Sequence, residues 1–176
     1  HALDYFQINV SNMVALDVGA STGGFTDCML QRGVTHVYAI DVGHGQIHHK
    51  IRTDARVTVV EKCNARYPFT LPKSVDLITI DVSFISLRLI IPSISTHLKF
   101  GKPIIALVKP QFEAERGEVG RGGIVRNPQI HQKVMANITE WSIQNGFTIK
   151  NNCSSPITGD SGNKEFFLYL EKPNVL

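Results

Sequence analysis

Apolar runs alternate with amphipathic segments along most of the chain. The runs predict strands over residues 14–17, 37–41, 57–60, 75–81, 104–109, 147–151 and 165–170. Apolar positions at helical spacing predict helices over residues 23–32, 46–51, 87–98 and 128–145, and the end of another over 2–8. Residues 111–127 are polar and rich in glycine, which predicts a long loop.

This alternation predicts an α/β fold with a mostly parallel, doubly wound sheet of seven strands. The run over 75–81 is nearly all apolar, which is typical of a strand buried on both faces. No helix is predicted between the last two strands. We therefore expect an antiparallel strand near the C-terminus.

A turn rich in glycine separates the first strand from the helix that follows it. Gly19, Gly23 and Gly24 match neither the G-x-G-x-x-G of a dinucleotide site nor a P-loop, which needs a lysine after its last glycine. A ligand with an adenosine but no phosphate fits this spacing better, and S-adenosylmethionine is the obvious candidate. Asp41, about twenty residues later at the end of a strand, could accept hydrogen bonds from ribose hydroxyls. A plain structural turn between strand and helix is the alternative.

Ligands of a doubly wound sheet lie beyond the carboxyl ends of its strands. The predicted strand ends carry Gly19, Asp41, Asn64, Asp81 and Lys109. A charge at the tip of a buried strand costs free energy unless it is paired. Asp81 and Lys109 therefore form either a structural ion pair or part of a substrate site, which Glu165 could join from the start of the last strand.

Composition narrows the class of protein. The chain has 176 residues, 43% of them hydrophobic, which suits one globular domain with a real core. Its three cysteines are far apart in sequence, which favours reduced thiols in a cytoplasmic protein, and neither a signal peptide nor an apolar run of transmembrane length is visible. The net charge of +3 permits a nucleic-acid partner without requiring one. His44 and His48 could share a helical face, but the sequence offers them no nearby acidic or cysteine partner, so no metal site is predicted.

An ordered set of motifs resembles one protein family along essentially the whole chain. The motifs are DVGASTGGFTD (17–27), IDVGHGQ (40–46), NAR (64–66), DVSFISL (81–87), VKPQFE (108–113), GEVG to GIVR (117–126), SPITG (155–159) and GNKEF (162–166). Together they resemble the TlyA-like, or hemolysin-A type, ribosomal RNA methyltransferases. These are a branch of the FtsJ-like ribose 2′-O-methyltransferases.

The resemblance implies a Rossmann-like methyltransferase that uses S-adenosylmethionine. The implied substrate is ribosomal RNA or a ribosomal subunit, methylated on the ribose of a cytidine, with neither a membrane nor DNA as partner. The family places a Lys-Asp-Lys-Glu tetrad around the target ribose, and three of its members correspond to Asp81, Lys109 and Glu165. From the chemistry of methyl transfer we assign Lys109 as the base or hydroxyl-orienting group, Asp81 as its partner near the methyl donor, and Glu165 as a positioning acid; this division of roles is a hypothesis. The first lysine and an S4-type RNA-binding domain are expected upstream of His1, so residues 1–176 are interpreted as a methyltransferase domain cut from a longer protein.

The same resemblance implies the residues that contact the cofactor. They are Gly19, Ala20, Ser21, Thr22, Gly23, Gly24 and Phe25 around the methionine part, Asp41 at the ribose, Val42, Asn64 and Ala65 at the adenine, and Asp81 near the methyl donor. Asn64 could instead be an ordinary turn residue.

The loop over residues 111–127 is predicted to be a mobile lid that becomes ordered on RNA. Its candidate RNA-binding residues are Arg116, Arg121 and Arg126. Glutamates alternate with these arginines, and a solvated surface loop explains the charges equally well. Two other functions stay open for the whole protein: an RNA-associated module that binds cofactor without catalysis, and the hemolysin activity that the family name suggests.

Overall fold

A seven-stranded mixed sheet lies at the centre of the protein, with helices on both faces. The computed structural model describes residues 1–173, and of Asp160 only the backbone; the last three residues of the predicted 1–176 domain lie outside the described residues. The strands are β1 (Val14–Val18), β2 (His36–Ile40), β3 (Val57–Val60), β4 (Leu77–Ile80), β5 (Pro103–Val108), β6 (Thr148–Ser154) and β7 (Phe166–Glu171). The α-helices are α1 (Ala2–Tyr5), α2 (Gly24–Gln31), α3 (His49–Arg52), α4 (Leu87–Ile94), α5 (Pro110–Glu113) and α6 (Pro128–Gln144).

The order of strands across the sheet is β3-β2-β1-β4-β5-β7-β6. The first five are parallel to one another, and β7 is antiparallel to both of its neighbours, β5 and β6. The predicted fold class is therefore confirmed, including the antiparallel strand near the C-terminus. The direction of winding reverses between β1 and β4, and such a switch point opens a crevice at the carboxyl edge of the sheet.

Alternate residues of each strand fill two separate hydrophobic layers. On one face, Leu16, Ile78 and Ile104 pack beneath α4 and α6. On the other face, Leu77 and Ile105 pack beneath α1, α2 and α3. Every residue of β4 and β5 is buried, as the continuous apolar runs predict.

All five predicted helices are shorter in the structure, and three of them differ by three or more residues at one end. The helix predicted over 2–8 ends at Tyr5. The helix predicted over 46–51 begins only at His49, because the His48 side chain accepts the Lys50 N–H (3.2 Å) and so caps the helix at that point. The helix predicted over 87–98 tolerates Pro92 but ends at Ile94 and continues as a 3₁₀ turn over Ser95–His97. The Ser95 and Thr96 hydroxyls there donate to backbone carbonyls three residues earlier, in competition with the regular helical pattern.

Residues 111–127, called the lid segment below, are not the featureless loop that the sequence predicts. They contain most of α5 and a 3₁₀ turn over Arg116–Glu118. Asn163 ties the far end of the segment to the loop before β7, because its Oδ1 accepts the Val125 N–H and its Nδ2 donates to the Gly123 carbonyl (3.0 Å each). The mobility of the lid segment stays a prediction.

Candidate active site

The carboxyl edge of the sheet gathers the residues that follow β1, β2, β4 and β5. These are Gly19, Asp41, Asp81 and Lys109. Gly19 has a φ of +80°, and a Cβ at this position would overlap the Asp81 carbonyl oxygen. Only glycine therefore lets β1 and β4 approach each other at this point of the edge.

A first cavity of about 700 Å³ opens beside the glycine-rich turn. Its lining includes seven of the predicted cofactor-binding residues: Gly19, Ser21, Asp41, Val42, Asn64, Ala65 and Asp81. The Asp41 carboxylate is fixed in orientation because its two oxygens accept the N–H groups of Ser21 (2.8 Å) and Gly43 (2.7 Å). Each carboxylate oxygen has more than one acceptor site, so Asp41 can still accept a ligand hydroxyl.

The other predicted cofactor residues lie outside the described lining of the first cavity. They are Ala20, Thr22, Gly23, Gly24 and Phe25. The Gly23 N–H donates to the Ala20 carbonyl (2.8 Å), and Gly23 caps α2 with a φ of +100°, so these residues shape the turn. Phe25 lines a second cavity instead, where its ring lies 6.3 Å from that of Phe167. Cofactor contact by these five residues stays a prediction.

The second cavity, of about 650 Å³, brings Asp81, Lys109 and Glu165 together. Lys109 Nζ lies 2.6 Å from Asp81 Oδ1 and donates to Ser83 Oγ at 3.1 Å. Glu165 reaches this edge because β7 runs antiparallel to β5, with Phe166 paired to Val108. The structure thus places the three residues in one cavity, while their catalytic roles stay predictions.

Glu165 is 7% exposed and lies directly against the backbone of Gly159. A Cβ on Gly159 would overlap the Glu165 carboxylate, so a larger residue would displace the acid. Gly159 also lines the second cavity, but it has no side chain with which to contact a ligand. Its contribution is therefore the space it leaves for Glu165.

The two cavities meet at a short wall formed by Asp81, Ser83 and Phe84, which line both. Phe84 is 90% exposed and has a φ of +62°, an uncommon conformation for a bulky residue, and its ring lies 5.0 Å from that of Phe112. Strained backbone of this kind concentrates at functional positions. Phe84 lies in the DVSFISL motif, but the motif does not reveal its role, because neither the exposure nor the φ of a residue is visible in a residue pattern.

Asp17 is a further residue that sequence reasoning passed over. It is fully buried in β1 and accepts hydrogen bonds from the hydroxyls of Thr26 in α2 (2.6 Å) and Thr79 in β4 (2.8 Å). Burial raises the pKa of its carboxyl to about 6, although the two hydroxyls act in the opposite direction. Asp17 fastens the helix after the glycine-rich turn to the sheet. The sequence does contain one signal for this role, because Asp17 is a charged residue within the otherwise apolar run of the first strand.

Three glutamates of the lid segment bind partners outside it. Glu113 accepts the Ser86 hydroxyl and the first N–H of α4, at 2.7 Å each, and its burial raises the pKa of the carboxyl. Glu115 and Glu118 both contact Lys133 Nζ, at 3.0 and 2.6 Å. Although glutamates and arginines alternate in the sequence of the lid segment, these glutamates therefore do not pair with the neighbouring arginines.

The three lid arginines, Arg116, Arg121 and Arg126, are exposed. None of them forms an ion pair with any of the acidic side chains that the structure describes, a set that excludes Asp160. Gly122 and Gly123, between two of these arginines, line the second cavity. The lid segment thus presents three exposed positive charges, one of which, Arg121, is adjacent in sequence to the glycines that line that cavity.

The structure corrects one expectation about the histidines. His44 does have an acidic partner, since its Nδ1 lies 2.8 Å from Glu61 Oε2, and Glu61 also binds Arg52. Glu61 was missed because it is distant from His44 in sequence. Among the described residues there is no group of three or more His, Cys, Asp or Glu side chains arranged to hold a metal ion. The helices of the described part of the chain are all too short or too polar to cross a membrane.

Comparison with known proteins places the chain among methyltransferases. The model of the FtsJ-like methyltransferase family matches residues 1–172. YqxC of Bacillus subtilis, provisionally named an rRNA methyltransferase, is 49% identical over 98% of this chain and 62% of its own length. A protein of Mycobacterium tuberculosis named 16S/23S rRNA (cytidine-2′-O)-methyltransferase TlyA is 43% identical over 96% of this chain and 64% of its own.

A solved structure from Streptococcus thermophilus, provisionally named a hemolysin, superposes with a TM-score of 0.94. It is 47% identical, and the match covers 98% of this chain and 64% of that one. The chain therefore spans a little under two thirds of the length of these three relatives.

Proposed function

Because the chain belongs to the FtsJ-like methyltransferase family, we propose that it transfers the methyl group of S-adenosylmethionine to the ribose 2′-hydroxyl of a cytidine in ribosomal RNA. The observation that carries this proposal is the meeting of two cavities at Asp81, Ser83 and Phe84. Methyl transfer needs a donor and an acceptor that approach in line across one short gap. Two adjoining cavities, one for the donor and one for the acceptor, allow that arrangement.

In this proposal the first cavity holds the adenosine end of the cofactor. Asp41 accepts hydrogen bonds from the ribose hydroxyls, in the manner of the acid after the second strand of a dinucleotide-binding fold. The apolar side chains of Val42, Ala65 and Ile85 line the space for the adenine. Asp81 stands at the junction of the cavities, where a carboxylate favours a neighbouring positive sulfonium. Bound there, the cofactor supplies an electrophilic methyl group.

The second cavity holds the ribose of the RNA. An ammonium group has three donors. Ser83 accepts one of the Lys109 donors and Asp81 Oδ1 lies 2.6 Å from the ammonium as an ion pair, which leaves a donor for the 2′-hydroxyl oxygen. We therefore give Lys109 the orienting role, with Glu165 as the acid that positions the ribose.

A cofactor held in the first cavity by Asp41 would supply the methyl group, Lys109 would orient the 2′-hydroxyl oxygen that accepts it, and a carboxylate of the second cavity would take the hydroxyl proton. Holding the reacting atoms at near-attack distance can contribute roughly 7–11 kcal/mol.

The lid arginines support RNA as the substrate. Their acidic neighbours in sequence are bound to Ser86, α4 and Lys133, so the three positive charges stay available for phosphates. Both curated relatives described above carry names that refer to rRNA methylation. Ribosomal RNA, alone or within a ribosomal subunit, is accordingly the proposed partner.

The test uses the full-length protein, ribosomal RNA or ribosomal subunits, and S-adenosylmethionine labelled in the methyl group. We expect label in RNA at an alkali-resistant linkage, which identifies a 2′-O-methyl group. Lys109→Ala should lower the single-turnover rate at least roughly 100-fold while cofactor affinity in calorimetry stays the same. Lys99→Ala is the matched control, since Lys99 pairs with Asp76 before β4, at the opposite edge of the sheet. An unchanged rate for Lys109→Ala would overturn the assignment.

The same experiment separates the alternatives. Cofactor and RNA binding without any incorporation of label would identify a non-catalytic module. Release of dye from liposomes by the purified protein would support a lytic activity instead.

A further inference from the structure

The second cavity has the size and the mixed lining that one nucleoside needs. Its volume of about 650 Å³ falls in the usual range for small-molecule sites. The charged residues Asp81, Lys109 and Glu165 lie together in it, as a ribose requires. Apolar side chains from two different loops, among them Phe84 and Ile157, line the rest, and both are largely exposed. Apolar surfaces of this kind suit the faces of a nucleobase.

Gln111 is a further polar residue of the same cavity. It lies in α5, two residues after Lys109, and is one of the residues that line the cavity. Its Oε1 is buried and has no hydrogen-bond partner among the described residues. A buried carbonyl oxygen without a donor destabilises the fold, because its interaction with water has been lost and not replaced. Buried polar groups are nearly always paired, so an unpaired one on a residue that lines a cavity points to a donor that arrives with the ligand.

We propose that the Gln111 carboxamide recognises the base of the target nucleoside, with Oε1 accepting a hydrogen bond from its exocyclic amine. The inference rests on the proposed function, which makes the target a cytidine. The Watson–Crick edge of cytosine has a single donor, the 4-amino group, beside the N3 acceptor. A carboxamide matches that edge with two hydrogen bonds, by the same complementarity that lets Asn and Gln recognise adenine in DNA. Gln111 is thus a specificity-determining residue, separate from the groups that hold the ribose.

The test is a double-mutant cycle between protein and RNA. One RNA carries cytidine at the target position, and the other carries pyrimidin-2-one riboside, which lacks only the 4-amino group. We expect removal of the amino group to lower kcat/KM of the wild type roughly tenfold, as for one lost hydrogen bond. Gln111→Leu should lower kcat/KM on the cytidine RNA at least as much and should no longer distinguish the two RNAs. Gln132→Leu, at an exposed position of α6, is the matched control and should discriminate as the wild type does.

Thermal unfolding separates recognition from a structural role. Because Oε1 has no hydrogen-bond partner among the described residues, Gln111→Leu should unfold at the wild-type temperature or above it. A large loss of stability would make Gln111 a structural residue and overturn the inference. Gln111→Glu keeps an acceptor at the same place, so it should still discriminate between the two RNAs even if its overall rate falls.

The outcomes distinguish this inference from its premise. A wild type that methylates no RNA, or methylates a nucleoside other than cytidine, overturns the proposed function and the inference with it. A wild type that methylates cytidine and its 4-deamino analogue equally well overturns the role of Gln111 alone. If the wild type and Gln111→Leu distinguish the two RNAs equally well, the role of Gln111 is likewise overturned while the proposed function stands.

Discussion

Asp17 gives the structure a defined pH dependence of stability. Burial raises the pKa of its carboxyl from the ordinary 3.8 to about 6, although Thr26 and Thr79 donate hydrogen bonds to it. A rise of this size corresponds to roughly 3 kcal/mol of differential stability. The folded state holds the proton more tightly than the unfolded state. The stabilisation is therefore complete below pH 3.8 and is lost as the pH rises through about 6.

Replacing Asp17 with asparagine removes this titration and keeps the shape of the side chain. The free energy of unfolding of Asp17→Asn, relative to the wild type, should increase by about 2 kcal/mol between pH 4 and pH 7, the interval that contains most of the effect. Urea unfolding at the two pH values measures this difference, because urea carries no charge that would screen the site.

Asp4→Asn is the matched control for Asp17→Asn. Arg32 holds the pKa of the Asp4 carboxyl below its ordinary 3.8, so removal of this exposed acid should leave the difference constant from pH 4 to pH 7. A difference for Asp17→Asn that is equally constant would show that Asp17 does not titrate in this interval. The account of its buried hydrogen bonds would then be wrong.

Three further outcomes follow from the site. Exchange of the three lid arginines for glutamine should reduce the slope of log K for RNA against log salt by about 2, in filter binding over a salt series, whereas Lys99→Gln at the opposite edge should not. Gly19→Ala should abolish cofactor binding in calorimetry and lower the free energy of unfolding by roughly 1–3 kcal/mol, since the added Cβ overlaps the Asp81 carbonyl at a positive φ; normal binding would contradict this close approach. Phe84→Gly and Phe84→Ala both remove the ring and should both slow methyl transfer. Only the glycine relieves the φ of +62°, so it should be the more stable of the two in urea unfolding by about 1 kcal/mol, and equal stability would argue against strain.

Much of the fold could be predicted from residue patterns, because it depends on periodicity. The continuous apolar runs before Asp81 and Lys109 identified two buried parallel strands, and their charged ends identified the edge where ligands bind. The missing helix before the last strand predicted its antiparallel direction, which brings Glu165 to the same edge. Local signals were sufficient for each of these steps.

The details of the site depend on partners that are distant in sequence, and these could not be predicted. The orientation of the glycine-rich turn determines that Ser21 lines the first cavity while Phe25 lines the second. The charges of the lid glutamates can be compared in sequence only with those of neighbouring arginines. In the structure, Glu118 pairs with Lys133, fifteen residues away in α6. Gln111 gave no signal at all, since an unpaired carboxamide oxygen becomes visible only when every donor around it has a position.

The insertion of β7 between β5 and β6 has a consequence for how the protein matures. Asp81 and Lys109 are synthesised well before Glu165, and the last strand must enter between two neighbours to deliver that acid. A nascent chain therefore carries an incomplete set of charged groups until its C-terminal hairpin has docked. The three charged groups of the second cavity therefore come together only after β7 has been synthesised and has paired with β5.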